Sequence, residues 1–206
     1  MSFESAKTSQ MKIKSLKLAA AATVLTLLAA GCVTLSVYPF YTPKDLIFDS
    51  GLTGRWVETK STNTFWKFDD VGGKFYLLTT TDSESTNGFE ANLFQLRRYR
   101  FLDLLTTNRD EFSKFEMPVH LISRVDHNDT NVSLHFLDYG WLANLLQTNP
   151  ALLRHIIVPE QPGGTNGEML YLTAETEDLQ TFILKYADDT NAFGSDSAVE
   201  LKLLSP

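Results

Sequence analysis

Between Gly54 and Asp138 apolar and polar residues alternate with a period of two, and no other feature of the sequence constrains the fold as much. Successive side chains of a strand point to opposite faces, while those of a helix return to one face every 3.6 residues. The alternation is cut into seven runs by turn-forming residues. Gly54–Glu58 (GRWVE), Thr64–Asp69 (TFWKFD), Lys74–Thr81 (KFYLLTTT) and Phe89–Leu96 are the first four. Tyr99–Leu105, Pro118–Val125 and Val132–Leu137 follow. Asp70-Val71-Gly72-Gly73 ends the second run, because glycine reaches positive φ without steric cost. Asn87-Gly88 predicts a type I′ hairpin turn before the fourth. Residues 106–117 and 126–131 are polar connections. A meander this long curls to bury one face and its edges.

After Asp138 the period changes. Trp141, Leu142, Leu145 and Leu146 form one helical stripe. Asn149-Pro150 predicts a short helical restart over 150–155. Residues 168–172 (EMLYL) read as a strand, and Thr173 or Thr176 as the cap of a helix carrying Leu179, Phe182, Ile183 and Tyr186 on one face. Leu201, Leu203 and Leu204 suggest a tail strand. The expected architecture is mainly β (α+β). It is an antiparallel meander of about 7–8 strands forming a curved sheet or a barrel, with two or three helices in the C-terminal third.

The leader is of a different kind. Lys12, Lys14 and Lys17 precede Leu18–Ala30, an uncharged run rich in Ala and Leu. The run is shorter than the roughly 20 residues a transmembrane helix needs and matches a secretory h-region. Leu28-Ala29-Ala30-Gly31-Cys32 closes it. This segment resembles the signal of bacterial lipoproteins, whose lipobox usually reads Leu-Ala-Gly-Cys; here the Leu stands one place earlier. The resemblance implies cleavage before Cys32 and a membrane anchor of fatty acyl chains, such as palmitate, on its thiol. A thiolate is the nucleophile that can take a diacylglyceryl group as a thioether. Val33 stands where an Asp would signal inner-membrane retention, so the expected location is the outer membrane, facing the periplasm. The expected division is 1–31 signal peptide, with Met11 an alternative start, 32–50 lipidated Cys and tether, and 51–206 one β-rich domain. Tyr38, Phe40, Tyr41, Ile47 and Phe48 make the tether too apolar to stay in water, so it should lie against the body.

Residues 1–31 carry four Lys and one Glu, so the remaining 175 residues hold 14 basic and 24 acidic residues, a net charge of −10. That charge opposes nucleic-acid binding. Cys32 is the only cysteine, so neither an intramolecular disulfide nor a cysteine-based metal site is possible.

Gly54-Arg55-Trp56 at the head of an antiparallel meander resembles the Gly-x-Trp start of lipocalin-type barrels. The resemblance implies a Trp closing the narrow end of a barrel and an interior for a small apolar ligand. Trp56, Trp66, Phe68, Phe75 and Phe101 are the candidate lining of that cavity.

Catalytic signals are missing from the sequence. There is no Gly-x-Ser-x-Gly elbow and no His-x-x-x-His pair. His120 and His135 fall on adjacent predicted strands, where a metal would need a third ligand such as Asp103. The plainer reading has both pointing to solvent. His127 and His155 carry no motif. No catalytic residue, metal or cofactor is expected. The expected role is non-catalytic binding of an apolar ligand or lipid, the alternative is docking on an envelope protein, and a hydrolase comes third.

Overall fold

A computed structural model describes residues 34–107, 117–159, 168–194 and 198–205. In chain order its strands are Thr34–Ser36 (β1), Gly54–Glu58 (β2), Phe65–Val71 (β3), Phe75–Thr81 (β4), Thr86–Leu96 (β5) and Tyr99–Thr106 (β6). His120–Asn128 (β7), Asn131–Phe136 (β8), His155–Val158 (β9), Met169–Leu172 (β10) and Val199–Ser205 (β11) follow. Tyr139–Thr148 (α1) and Thr176–Lys185 (α2) are helices.

The meander closes. β2 to β8 pair in sequence order, all antiparallel, with β6 joined to β7 through Leu104 and Leu121. β11 then enters between β8 and β2, with Leu201 opposite both Val132 and Glu58. The result is an eight-stranded antiparallel barrel, and the open curved sheet is excluded. Chain between β8 and β11 carries α1, β9, β10 and α2. β1 pairs parallel with β10 and touches β7 at Ser36 and His120, so β1, β10 and β9 extend the wall beyond one end of the barrel.

Alternation along the strands makes two cores. Trp56, Trp66, Phe68, Tyr76, Leu78, Leu93, Leu102, Leu134 and Leu201 fill the inside. Phe94, Leu96, Phe101 and Ile122 face out from the same wall and are covered by Leu142 and Leu146 of α1 and Leu179, Phe182 and Ile183 of α2. β5 to β7 are thus buried on both faces along much of their length. Trp141 joins the helices, lying 4.9 Å edge-on to Tyr186. Asp138 caps α1 by accepting from the Trp141 N–H at 2.7 Å. Neither Thr173 nor Thr176 caps α2. Its N-cap is Glu175, without a side-chain bond, and the Thr176 hydroxyl instead donates to Pro39 O at 2.8 Å.

The stretch before β2 is part of the body. Phe40 is fully buried, and Ile47 and Phe48 pack on the inner core. Phe48 stacks on Tyr76 at 5.0 Å. The Tyr76 hydroxyl accepts from Asp49 N at 2.8 Å and donates to Asp49 O at 2.9 Å. A 3-10 turn at Ser50–Leu52 follows, and the Trp56 indole N–H donates to Leu52 O at 2.9 Å. Together these close the barrel end opposite β1. Gly54 enters β2 at φ 131°, a backbone that a side chain would strain.

Three local expectations are corrected. Asn87 and Gly88 lie inside β5, opposite Thr80 and Thr79. The turn sits earlier, where Asp82 Oδ1 accepts from Glu84 N and Ser85 N at 2.8 Å each, an Asx turn that outcompetes the Asn-Gly signal. Residues 150–153 form only a turn, and β9 begins at His155, because β10 offers His155–Val158 an antiparallel partner. The start of the tether is strand β1. The expected tail strand is present, runs over Val199–Ser205 and completes the barrel. The proposed signal and Cys32 lie outside the described residues.

Strand parity makes a sharp prediction. Trp56 is fully buried, whereas its neighbour Arg55 is exposed, lying 4.5 Å over the Phe65 ring. Trp56→Ala is expected to cost about 3–5 kcal/mol, and Arg55→Ala no more than about 1 kcal/mol. Urea midpoints of the two variants check this, and equal losses would refute the register.

Candidate functional site

The described surface carries an apolar cleft where β1, β9 and β10 extend the wall. Its volume is about 560 Å³ and it is lined by Val37, Met117, Val119, Ile156, Val158, Tyr171 and Thr173. Pairing dictates that lining. Leu170 and Leu172 of β10 turn into the helix-covered core, so Tyr171 and Thr173 point the other way. Ile156 is the register partner of Tyr171, and Val158 that of Met169, which puts both on the cleft side of β9. Val119 lies two residues before Leu121, an inward residue of the barrel. The cleft therefore opens at the end of the barrel, beside its core. Its size is that of a small-molecule site, and its few polar groups, the Tyr171 and Thr173 hydroxyls, suit an apolar ligand.

The five aromatic residues expected to line one cavity are not brought together. Trp56, Trp66 and Phe68 pack in the inner core. Phe101 belongs to the outer core, stacked on Phe94 at 5.5 Å and against Phe193 at 5.9 Å. The reason is register: Leu102 pairs with Leu93 inside, so Phe101 must face out. Phe75 is half-buried in neither cluster, because its neighbour Tyr76 takes the inward place. None of the five lines the cleft. The residues that do were missed because Val37 read as tether and Ile156 and Val158 as chain after a helix. The alternation of Tyr171 with Leu170 and Leu172 was the only visible signal.

The histidines are also sorted by the strands. His120 and His135 do not face each other. His120 Nδ1 lies 2.6 Å from Asp103 Oδ1, and Asp103 Oδ2 accepts from Phe40 N at 2.9 Å. Asp103 is fully buried, so this pair pins the segment around Phe40 to the outer wall. His135 stands opposite Arg124 and contacts Asp126 Oδ2 at 3.2 Å and Gly194 O at 3.1 Å. His127 lies inside, edge-on to Trp56 and 3.5 Å from Asp49. His155 meets Leu153 O at 2.7 Å. Among the described residues no three potential ligands group around a metal position.

Ser36, the strand partner of His120, adds the residue type of a nucleophile. Its hydroxyl donates to Tyr38 O at 2.7 Å and is buried, whereas a triad needs that proton directed at the histidine. Ser36 and His120 also alternate with Val37 and Val119, the residues that face the cleft. The Ser–His–Asp set is thus on the far side of the wall from the cavity.

Glu58 is the titratable group that the sequence reading overlooked. It shares the inward parity of Trp56 and is 3 % exposed. Burial pushes its carboxyl above the ordinary range, while the Trp66 indole and Lys60 pull it back. The Trp66 N–H is near enough to favour the anion yet makes no hydrogen bond. Because the folded pKa exceeds the unfolded one, Glu58 contributes stability below 4.5 that is lost as pH rises through the raised value. Glu58→Gln should therefore raise the melting temperature at neutral pH and leave it unchanged in acid, a contrast that melting curves across pH can check.

Compared with protein-family models, curated proteins and solved structures, the chain matches none of them.

Proposed function

We propose that this protein is a lipoprotein of the bacterial cell envelope, held to the membrane by an acylated Cys32, and that it binds a small apolar ligand without catalysis. The cleft carries the ligand reading. It is lined by aliphatic side chains with two hydroxyls, and no nucleophile–base pair faces it among the described residues. An eight-stranded barrel is the size that is filled by its own side chains or holds one small ligand. Here aromatic and aliphatic side chains of the inner core fill the inside, and the space lies at the barrel's end, a lipocalin-like use of the fold with the ligand displaced toward the mouth.

A second reading is favoured by β9. It is the outermost strand of the sheet, with Ile156 55 % and Ile157 42 % exposed. An apolar edge strand of this kind is a template for strand addition by an envelope protein.

Fluorescence titration with a fluorescent fatty acid tests the ligand reading. Ile156→Glu places a charge in the cleft at an exposed position and should weaken binding at least about tenfold. Leu77→Glu, on the outer face of β4, should leave it unchanged. Equal affinities would remove the cleft from the argument. The anchor has its own test: Cys32→Ser should release the protein from membranes after a carbonate wash, and its retention there would refute lipidation.

A further inference from the structure

The cleft's rim is more exposed than its function as a pocket requires. The large apolar side chains exposed among the described residues are Tyr38, Leu77, Met117, Ile156, Ile157 and Leu204. Met117 and Ile156 line the cleft themselves. Tyr38 follows Val37, and Ile157, which pairs with Leu170, lies on the other face of β9 between Ile156 and Val158, so four of the six lie at this end of the barrel, two of them on the opening itself. Met117 and Ile156 are the most exposed of all, at 59 % and 55 %. Exposed apolar side chains gathered at one end on both faces of a wall mark a surface that is covered in use.

The path of the chain says what covers it. Cys32 lies two residues before β1 and five before Val37 in the cleft wall. At about 3.3–3.6 Å per extended residue, a lipid on Cys32 is held within about 18 Å of that wall. The opposite end of the barrel is closed by Asp49–Leu52 and carries none of these four residues. A lipid anchored so close to β1 turns the cleft end toward the bilayer.

We propose that Tyr38, Met117, Ile156 and Ile157 seat on the bilayer surface and that the cleft opens into its acyl layer. The ligand class follows: an apolar or amphiphilic molecule that partitions into the membrane and enters without crossing water. Tyrosine suits such a rim, with a ring for the interface and a hydroxyl for water. The body beyond residue 31 has a net charge of −10, so docking rests on apolar burial and anionic lipid weakens it. The proposal rests on the lipid anchor of Cys32.

The test uses the full chain, expressed with its leader, purified from bacterial membranes and reconstituted in phosphatidylcholine vesicles with or without brominated acyl chains. Ile157→Trp and Met117→Trp each add one reporter at an exposed position, and Leu77→Trp is the control on another face. Emission is read as the difference from the parent. Both rim reporters should lose at least about half of their emission to brominated lipid, as side chains inserted to the headgroup–acyl boundary do. The Leu77→Trp reporter should lose none. Vesicles that carry the protein on flotation but quench neither rim reporter would overturn docking and leave the anchor standing. Protein that fails to float would overturn the anchor, and docking with it. Equal quenching of all three reporters would also refute a specific rim.

Discussion

Every other feature of this structure depends on the hydrogen-bonded closure made by β11. Seven consecutive strands, β2 to β8, leave two free edges, and an unpaired edge exposes a row of backbone donors and acceptors. The last strand of the chain satisfies both edges at once, since Leu201 faces Glu58 on one side and Val132 on the other. Closure fixes which residues are inside. It also fixes where the long insertion between β8 and β11 must leave and return, namely one end of the barrel, where β9 and β10 extend the wall and the cleft forms.

The two ends of the barrel are built from different chemistry. One is sealed by the segment before β2, with Phe48 stacked on Tyr76 and Asp49 bonded to the Tyr76 hydroxyl in both directions. Asp49 also meets Arg100 Nη1 at 2.8 Å. Burial raises its carboxyl pKa, but the Gly51 N–H, His127 and Arg100 together outweigh it and hold the group below the ordinary range. The other end has aliphatic residues, two hydroxyls and an exposed rim. Among the described residues apolar side chains remain exposed at the second end, while the first end has closed on itself.

The Asp103–His120 pair shows why residue type alone is a poor guide to chemistry. A buried carboxylate bonded to histidine beside a serine has the composition of a catalytic set. Its bonds run elsewhere, to Phe40 N and Tyr38 O, and its place is under the N-terminal segment. It ties the N-terminal segment to the outer wall of the barrel, where an unpaired buried N–H would be costly.

Alternation alone determined that this chain is antiparallel β through Asp138, because a period of two admits no helix, and it put Trp56, Trp66 and Phe68 on one face. The location of the strands was legible to within a few residues, except where an Asx turn at Asp82 displaced the Asn-Gly signal. The two-sided burial of β5 to β7 was not legible, since parity says that Phe101 and Leu102 differ but not which faces in. That choice needs the closure of the barrel and the helices that cover its outside. The cleft was invisible for the same reason. Its walls come from residues 37, 117–119, 156–158 and 171–173, each too short a piece to show a pattern, and only pairing between β1, β9 and β10 brings them together.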